Sequence, residues 1–494
     1  MSKYLPSLDD FLTKASPGST IGIYREILAD METPVSAFRK IADNNYAFLL
    51  ESVAGGERLA RFSFLGSGTN KIIRSKNDSL DVIKNDSSYS IRIKPGEDML
   101  DVLKDEIEQI KYIPNPNLPK FCGGAVGYLG YDAVRFFEEL PQITTDDLNM
   151  PDCLFFFTDS LLIFDHVQHK IKIVVNAEIG DNPEQDYNLA ITKIDEIMAK
   201  LQKPHVYQNS NVNPTEIELK SNFTKEDFQK AVDSCKEYIV NGDIIQAVLS
   251  QRFQTPVSCD SFDIYRALRS LNPSPYMFYL VCDDIKLIGS SPEILVTAED
   301  GIVTTRPIAG TRPRGLTPEE DKALEKELLA DQKELAEHIM LVDLGRNDIG
   351  RVSKYGSVEV DELMAIERYS HVMHIVSNVK GELDNDCDQF DVLRSCFPAG
   401  TVSGAPKVRA MEIIEELEPT RRGSYAGCIG YFSYSGNMDT CITIRTILVK
   451  DETAYIQVGA GIVADSVPEN EYQETLNKAM AMLRAIKEAH EGLE

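Results

Sequence analysis

Two pairs of glutamates carry the clearest chemistry in this chain. Glu334 and Glu337 lie in the run from Asp331 to Val352, and Glu471 and Glu474 lie near the C-terminus. On a helix, a Glu-x-x-Glu spacing puts both carboxylates on one face, one turn apart. Two such pairs facing each other would make an all-oxygen cage for a hard divalent cation. No Cys or His cluster accompanies them, so Mg²⁺ fits better than zinc or iron. Neither pair supplies the Glu-x-x-His of a di-iron bundle. The competing reading is a plain solvated helix face.

Other stretches offer anion chemistry. Gly459-Ala460-Gly461-Ile-Val-Ala464 formally matches a dinucleotide fingerprint, but no second strand with a terminal acid follows it. It reads better as a loop whose bare N–H groups approach an anionic ligand. Phe397–Lys407 resembles a phosphate loop but breaks the template at Ala405-Pro406 and Val408. A small-residue loop before a helix still suits a carboxylate, and a plain tight turn is the alternative. Arg306, Arg312, Arg314 and Arg445 are forks for carboxylates, or structural ion pairs in so acidic a chain. His374 sits in an alternating strand pattern, where a core role competes with a catalytic one. No glutaminase or hydrolase triad is evident.

These groups need elements to hold them. A long helix is expected from about Pro318 through the first glutamate pair. The last helix is expected from Ser466, with Ser466 and Glu469 as a capping box and Pro468 in the first turn. Thr224 and Asp227 open another helix, to about Asn241. Expected strands include Tyr46–Glu51 and Arg61–Gly66 around a Gly55-Gly56 turn. Others are Leu154–Phe164 paired with Lys170–Val175, Ile244–Phe253, Ile285–Gly289, Glu293–Ala298, Ser370–Val379, Ser424–Tyr434, Met438–Lys450 and Ala454–Val458. Thr304–Gly315 reads as a loop, and the glycine-rich Phe121–Asp132 as close backbone packing or a tight turn. Strands and helices do not alternate strictly, so a doubly wound parallel sheet is not expected. These patterns alone specify mixed α and β.

Composition narrows the partners. The 494 residues carry a net charge of −27, from 51 basic and 78 acidic side chains. That argues against nucleic acid or an anionic membrane as the main partner. Nine scattered cysteines without a CxxC pair point to free thiols in a reducing cytoplasm. The N-terminus lacks a signal-peptide apolar core, and no apolar run approaches a bilayer span. A cytoplasmic protein is expected.

Taken together, these stretches resemble the chorismate-utilising enzymes, most closely the anthranilate synthase component I type. The motifs are Ser291–Glu293 (SPE), Arg306–Gly315 (RPIAGTRPRG), Ala336–Asp348 (AEHIMLVDLGRND), Phe397–Lys407 (FPAGTVSGAPK) and Gln457–Ser466 (QVGAGIVADS). The N-terminal Leu49–Ser52, GGAVGYLGYD and Asn272–Phe278 add to the likeness. The resemblance implies a large α/β (α+β) fold of antiparallel sheets with helices packed between them. It implies a division into 1–201, an N-terminal region with a tryptophan-site hairpin interleaved with the core; 202–216, a linker or surface loop; and 217–494, a chorismate-binding catalytic core.

It also implies roles. Glu337 and Glu474 would ligate Mg²⁺, with Glu334 and Glu471 in support. Thr304, Thr305, Tyr425, Arg445, Gly459, Ala460 and Gly461 would bind chorismate. Glu293 would protonate the departing C4 hydroxyl while ammonia adds at C2, with His374 and Thr401 near the ring. Leu50, Glu51, Ser52, Pro275, Tyr276 and Met277 would form a tryptophan feedback site, where an ordinary apolar hairpin core is the alternative. Ammonia would come from a separate glutamine amidotransferase subunit (component II). Isochorismate and salicylate synthases carry a lysine base where this chain has Gln246. Aminodeoxychorismate synthases commonly carry a nucleophilic lysine where it has Ala309. Both departures favour ammonia addition giving anthranilate. An aminodeoxychorismate synthase and a non-catalytic tryptophan sensor are the alternatives.

Overall fold

Two apolar runs that read as single stretches of strand are each two strands in different sheets, and a pair of strands expected to be separate also turns out to lie in different sheets. Leu154–Phe164 divides at Asp159 into Cys153–Thr158 and Ser160–Asp165, and only the second pairs with Lys170–Glu178. Ile285–Ser291 and Ile294–Glu299 flank the Pro292-Glu293 crossing. Met438–Lys450 divides into Met438–Ile442 and Thr446–Lys450, with Arg445 left-handed at φ +51° in the bend. Hydrophobic period reports burial, not which sheet a strand joins, so these bends leave no trace in it.

The structure is a computed structural model that describes residues 3–42, 45–53, 61–85, 87–94, 96–204, 218–369 and 372–493. The Gly55-Gly56 turn, most of the 202–216 stretch and Ser370 lie outside these. Among the described residues the strands form two large, almost wholly antiparallel sheets. In the first, Gln246–Pro256 pairs with Thr453–Ile462, and Tyr276–Cys282 lies between Ile285–Ser291 and Tyr46–Glu51. In the second, Ile294–Glu299 and Cys428–Ser433 flank Met438–Ile442, and Gly124–Leu129 joins Cys428–Ser433 to Cys153–Thr158. Strands from both halves of the chain enter both sheets.

A buried layer drawn from both sheets joins their facing sides: Phe48, Phe278 and Leu448 from one, Phe156, Ile429 and Tyr431 from the other. Phe121 stacks on Tyr431 at 4.2 Å, and Phe48 meets Phe156 at 6.1 Å. Each such ring contributes roughly 1.5–3 kcal/mol by leaving water. The outer faces are covered by helices, among them Ser261–Leu271 and Pro468–Glu491 on the first sheet and Met99–Glu108 and Gln389–Cys396 on the second. No helix among the described residues is long and apolar enough to cross a membrane.

Four local expectations are corrected. The helix from Pro318 is two helices, Pro318–Ala330 and Gln332–Gly350. Asp331 ends the first and caps the second, accepting from the Lys333 and Glu334 N–H groups. Thr304–Gly315 is largely strand, as Ile302–Thr305 and Ile308–Pro313 both pair with Val372–Glu382. Gly459–Gly461 belongs to a strand too, because ten residue pairs with Gln246–Pro256 run through it. The last helix begins at Pro468 without a side-chain cap. The Ser466 hydroxyl accepts from Val463 N–H instead, and Glu469 is taken by Lys225 and Gln229.

The glycine-rich run is packed as expected. A Cβ on Gly127 would lie 2.0 Å from the Leu154 carbonyl oxygen, a backbone atom that cannot step aside. Gly127→Ala should therefore cost about 3 kcal/mol or more, read as a lower midpoint in thermal or denaturant unfolding; an unchanged midpoint refutes the close packing.

Candidate active site

Glu293 sits where the chain leaves the first sheet for the second. Its carbonyl accepts from Ile442 N–H at 3.0 Å, so Met438–Ile442 holds the crossing in place. The Ser291 hydroxyl donates to the Ile442 carbonyl at 2.7 Å and braces the same corner. Glu293 is only 8% exposed, and burial pushes its carboxyl up to about 8. The neighbouring Thr401 hydroxyl pulls the other way, though it stops short of hydrogen-bond geometry and is itself buried without a partner. A carboxyl in this state is protonated at neutral pH. Glu293, Thr305 and Thr401 share the wall of a cavity of about 40 Å³ with Asp348, Cys396 and Gly400.

Thr401 belongs to a short 3₁₀ turn, Gly400–Val402, between two prolines in the Phe397–Lys407 motif. Lys407, the template's apparent phosphate lysine, is engaged elsewhere. Its ammonium reaches Asp348 at 2.9 Å, with both side chains largely buried, and so ties the motif to the Gln332–Gly350 helix.

The four glutamates sit on the two expected helices, Gln332–Gly350 and Pro468–Glu491. Burial first, and then the charges of Glu334 and Glu474, hold Glu337 above the ordinary carboxyl range, against a Gln246 amide that donates to it at 3.4 Å. Burial, followed by the charge of Glu474, does the same to Glu471. These are oxygen donors suited to a hard cation, which would relieve their mutual repulsion. They are not gathered around one point, however. No three acidic, His or Cys side chains among the described residues converge closely enough to hold an ion. Glu334 contacts Arg312 at 3.3 Å and Glu474 contacts Lys478 at 2.7 Å.

The arginines divide. Arg306 pairs with Glu362 and Glu367, Arg312 with Glu327, Asp331 and Glu334, and Arg314 with Asp321. For these three the structural reading holds. Arg445 has no ion pair among the described residues. Burial lowers its pKa, while Tyr425 and Glu474 act in the other direction. It also lies within electrostatic reach of His374. His374 is half-buried, and its Nδ1 lies 3.1 Å from the Gly310 carbonyl, to which it can donate. Burial lowers its pKa, so the ring is neutral at pH 7.

Tyr425 and Gly459 meet directly, since a Cβ on Gly459 would lie 2.6 Å from the Tyr425 hydroxyl. Lys478 escaped notice in the sequence. Its ammonium reaches both Glu474 and the Gly459 carbonyl, the latter at 2.8 Å, and its own carbonyl accepts from Arg445 at 3.4 Å. The available signal was its position one helical turn after Glu474. The two threonines part company. Thr305 faces the Glu293 cavity, while Thr304, on the opposite strand face, lines the space between the sheets.

That inter-sheet space is a cavity of about 1570 Å³, and Leu50, Glu51, Ser52, Pro275, Tyr276 and Met277 all line it. Glu51 is bound by Arg269 through both oxygens, at 2.9 and 3.1 Å, and by the Tyr265 hydroxyl at 2.5 Å. Ser52 Oγ is buried and unpartnered. The Tyr276 hydroxyl crosses to the other sheet and donates to Asp439 at 2.9 Å. Burial pushes the Asp439 carboxyl up to about 7.

Residues 46–484 match the family model of chorismate binding enzymes. The chain is 52% identical to anthranilate synthase component 1 of Acetivibrio thermocellus and 49% identical to that of Aquifex aeolicus (strain VF5), with 99% of each chain covered. Its fold is similar to the crystal structure of anthranilate synthase component I from Streptococcus pneumoniae TIGR4, at TM-score 0.77 and 40% identity, covering 92% of this chain and 98% of that one. It is also similar to MenF, the menaquinone-specific isochorismate synthase of Escherichia coli, at TM-score 0.71 and 19% identity, covering 97% and 98%, a likeness of fold alone. The family model and the matched relatives agree: the chain belongs to the chorismate-binding enzymes, within the anthranilate synthase component I family.

Proposed function

We propose that this enzyme converts chorismate and ammonia to anthranilate and pyruvate in the cytoplasm. The observation that carries the reading is Glu293, a carboxyl kept protonated at neutral pH by burial and set beside an unpartnered Thr401 hydroxyl. Such an acid can protonate a poor leaving group, here the C4 hydroxyl departing as water. Ammonia adds at C2, and loss of pyruvate with the C2 proton gives the aromatic product. Arg445, half-buried and without an ion pair among the described residues, suits a substrate carboxylate, with Tyr425, Thr305 and Gly459–Gly461 around the ring. His374 presents a neutral imidazole nearby. Gln246 and Ala309 supply neither a lysine base for water nor a lysine nucleophile.

Glu337 and Glu474, with Glu334 and Glu471, would hold Mg²⁺, which neutralises the substrate carboxylate and draws charge from the ring. The side chains here fit it by donor type, and Lys478 would release Glu474 to it. The "component 1" in the relatives' names supports a second subunit, here a glutaminase supplying ammonia. The inter-sheet cavity lined by Ser52 and Tyr276 suits tryptophan as a feedback inhibitor.

Three measurements test this. Incubation with chorismate, Mg²⁺ and an ammonium salt should yield fluorescent anthranilate, at a rate lowered by added tryptophan. Accumulation of aminodeoxychorismate overturns the reaction, and indifference to tryptophan overturns the inhibitor site. Because Glu293 must be protonated to donate, kcat at constant free ammonia should fall as pH rises through about 8. Glu293→Gln should lower kcat by roughly 10²–10⁴-fold and abolish that limb; a limb that persists in the variant assigns it to another group. Glu337→Gln and Glu474→Gln should each remove Mg²⁺-dependent turnover while circular dichroism stays native, and full activity in either sinks the cage.

A further inference from the structure

Arg422 follows directly on the Pro419-Thr420-Arg421 stretch after the Lys407–Leu417 helix. Its side chain is only 2% exposed, and that of its partner Glu418 only 3%. The guanidinium grips Glu418 through both oxygens, Nε to Oε2 at 3.0 Å and Nη2 to Oε1 at 2.6 Å. The other donors go to backbone. Nη1 donates to the Val402 carbonyl at 2.7 Å and Nη2 to the Val248 carbonyl at 2.6 Å. The rings of Tyr131 and Tyr425 lie 4.6 and 5.5 Å from it. Glu418 Oε1 also accepts from the Ser250 N–H and hydroxyl, at 2.8 and 2.9 Å.

Every one of these tethers but Tyr131 adjoins a residue of the site. Val402 follows Thr401. Val248 and Ser250 pair with Gly461 and Gly459 across the ladder. Tyr425 is the ring whose hydroxyl abuts Gly459. A fully desolvated ion pair is seldom worth more to stability than apolar side chains of the same volume, so stability alone does not account for it. We propose that Arg422 is a positioning residue: it fixes the Val402 carbonyl, and with it the Thr401 hydroxyl toward Glu293, while holding Tyr425 against the Gly459–Gly461 strand.

The inference rests on the reaction proposed above, so the native enzyme is assayed first. Failure to form anthranilate there refers to the reaction and not to Arg422. The decisive variant is the double substitution Glu418→Leu with Arg422→Met. It removes both charges together and keeps the volume, and its folding is checked directly because the Ser250 N–H and the Val248 and Val402 carbonyls lose these partners. The expected result is a native circular dichroism spectrum and a cooperative melt, with kcat lower by roughly ten- to a hundredfold. The alkaline limb should also move to higher pH, as it should in Thr401→Val, because the pull of Thr401 on Glu293 is lost. The other titratable groups around Glu293 are Tyr369 and, across the small cavity, Asp348 and Cys396; all are unchanged in these variants. Arg422→Lys keeps the charge but cannot reach both carbonyls, and should show the same two shifts at smaller amplitude. Native kcat and a native limb in either folded variant overturn the proposal. So does a fall in kcat with the limb unmoved, since Thr401 would then not be the group that Arg422 holds.

Discussion

Two broad sheets packed face to face through an aromatic layer impose the constraint on which the rest depends. A strand buried on both faces cannot stop in the interior without stranding its backbone polar groups. The chain resolves this by bending from one sheet into the other and continuing the ladder there. At such a corner the backbone remains paired while a side chain can be aimed into the space between elements. Glu293 and Arg445 occupy two of these corners, and Ile442 hydrogen-bonds to the first and lies three residues before the second.

The electrostatics follow from the same burial. An acidic surface is easily tolerated in water, but inside the fold each carboxylate needs a partner or a proton. Glu51, Asp348 and Glu418 have cationic partners and Glu415 is met by Arg135. Glu293 and Asp439 have none, and burial pushes them up to about 8 and about 7, so the first is mostly and the second about half protonated at pH 7. Glu337 stands between these cases, with an amide beside it and other glutamates facing it. Carboxyls held above their ordinary range thus include the proposed acid, Glu337 and Glu471 on the two glutamate-bearing helices, and Asp439 in the inter-sheet cavity.

Cations show the complementary pattern. The three arginines between residues 306 and 315 are all taken up by ion pairs, Arg312 with Glu334 of Gln332–Gly350, Arg314 with Asp321 of the helix before it, and Arg306 with Glu362 and Glu367. Arg445, in a left-handed bend between two strands, differs in making no ion pair among the described residues, although the charge of Glu474 acts on it. Lys478 differs because one helical turn places it beside both a glutamate and a strand carbonyl.

Much of this was legible in the sequence. The spacing of the glutamates placed them on helices, the glycine-rich run announced close backbone contact, and the ordered motifs identified the family. Each of these depends on local periodicity or on a chain of residue types, which a linear reading preserves. The tertiary structure alone decided where strands change sheets, that Asp331 breaks one helix into two, and that Thr304 and Thr305 face different cavities. It alone showed that the Ser466 cap is displaced, that three arginines are neutralised, and that burial keeps Glu293 protonated. Those outcomes depend on which distant segments arrive beside a residue and exclude its water, and neither composition nor spacing records that.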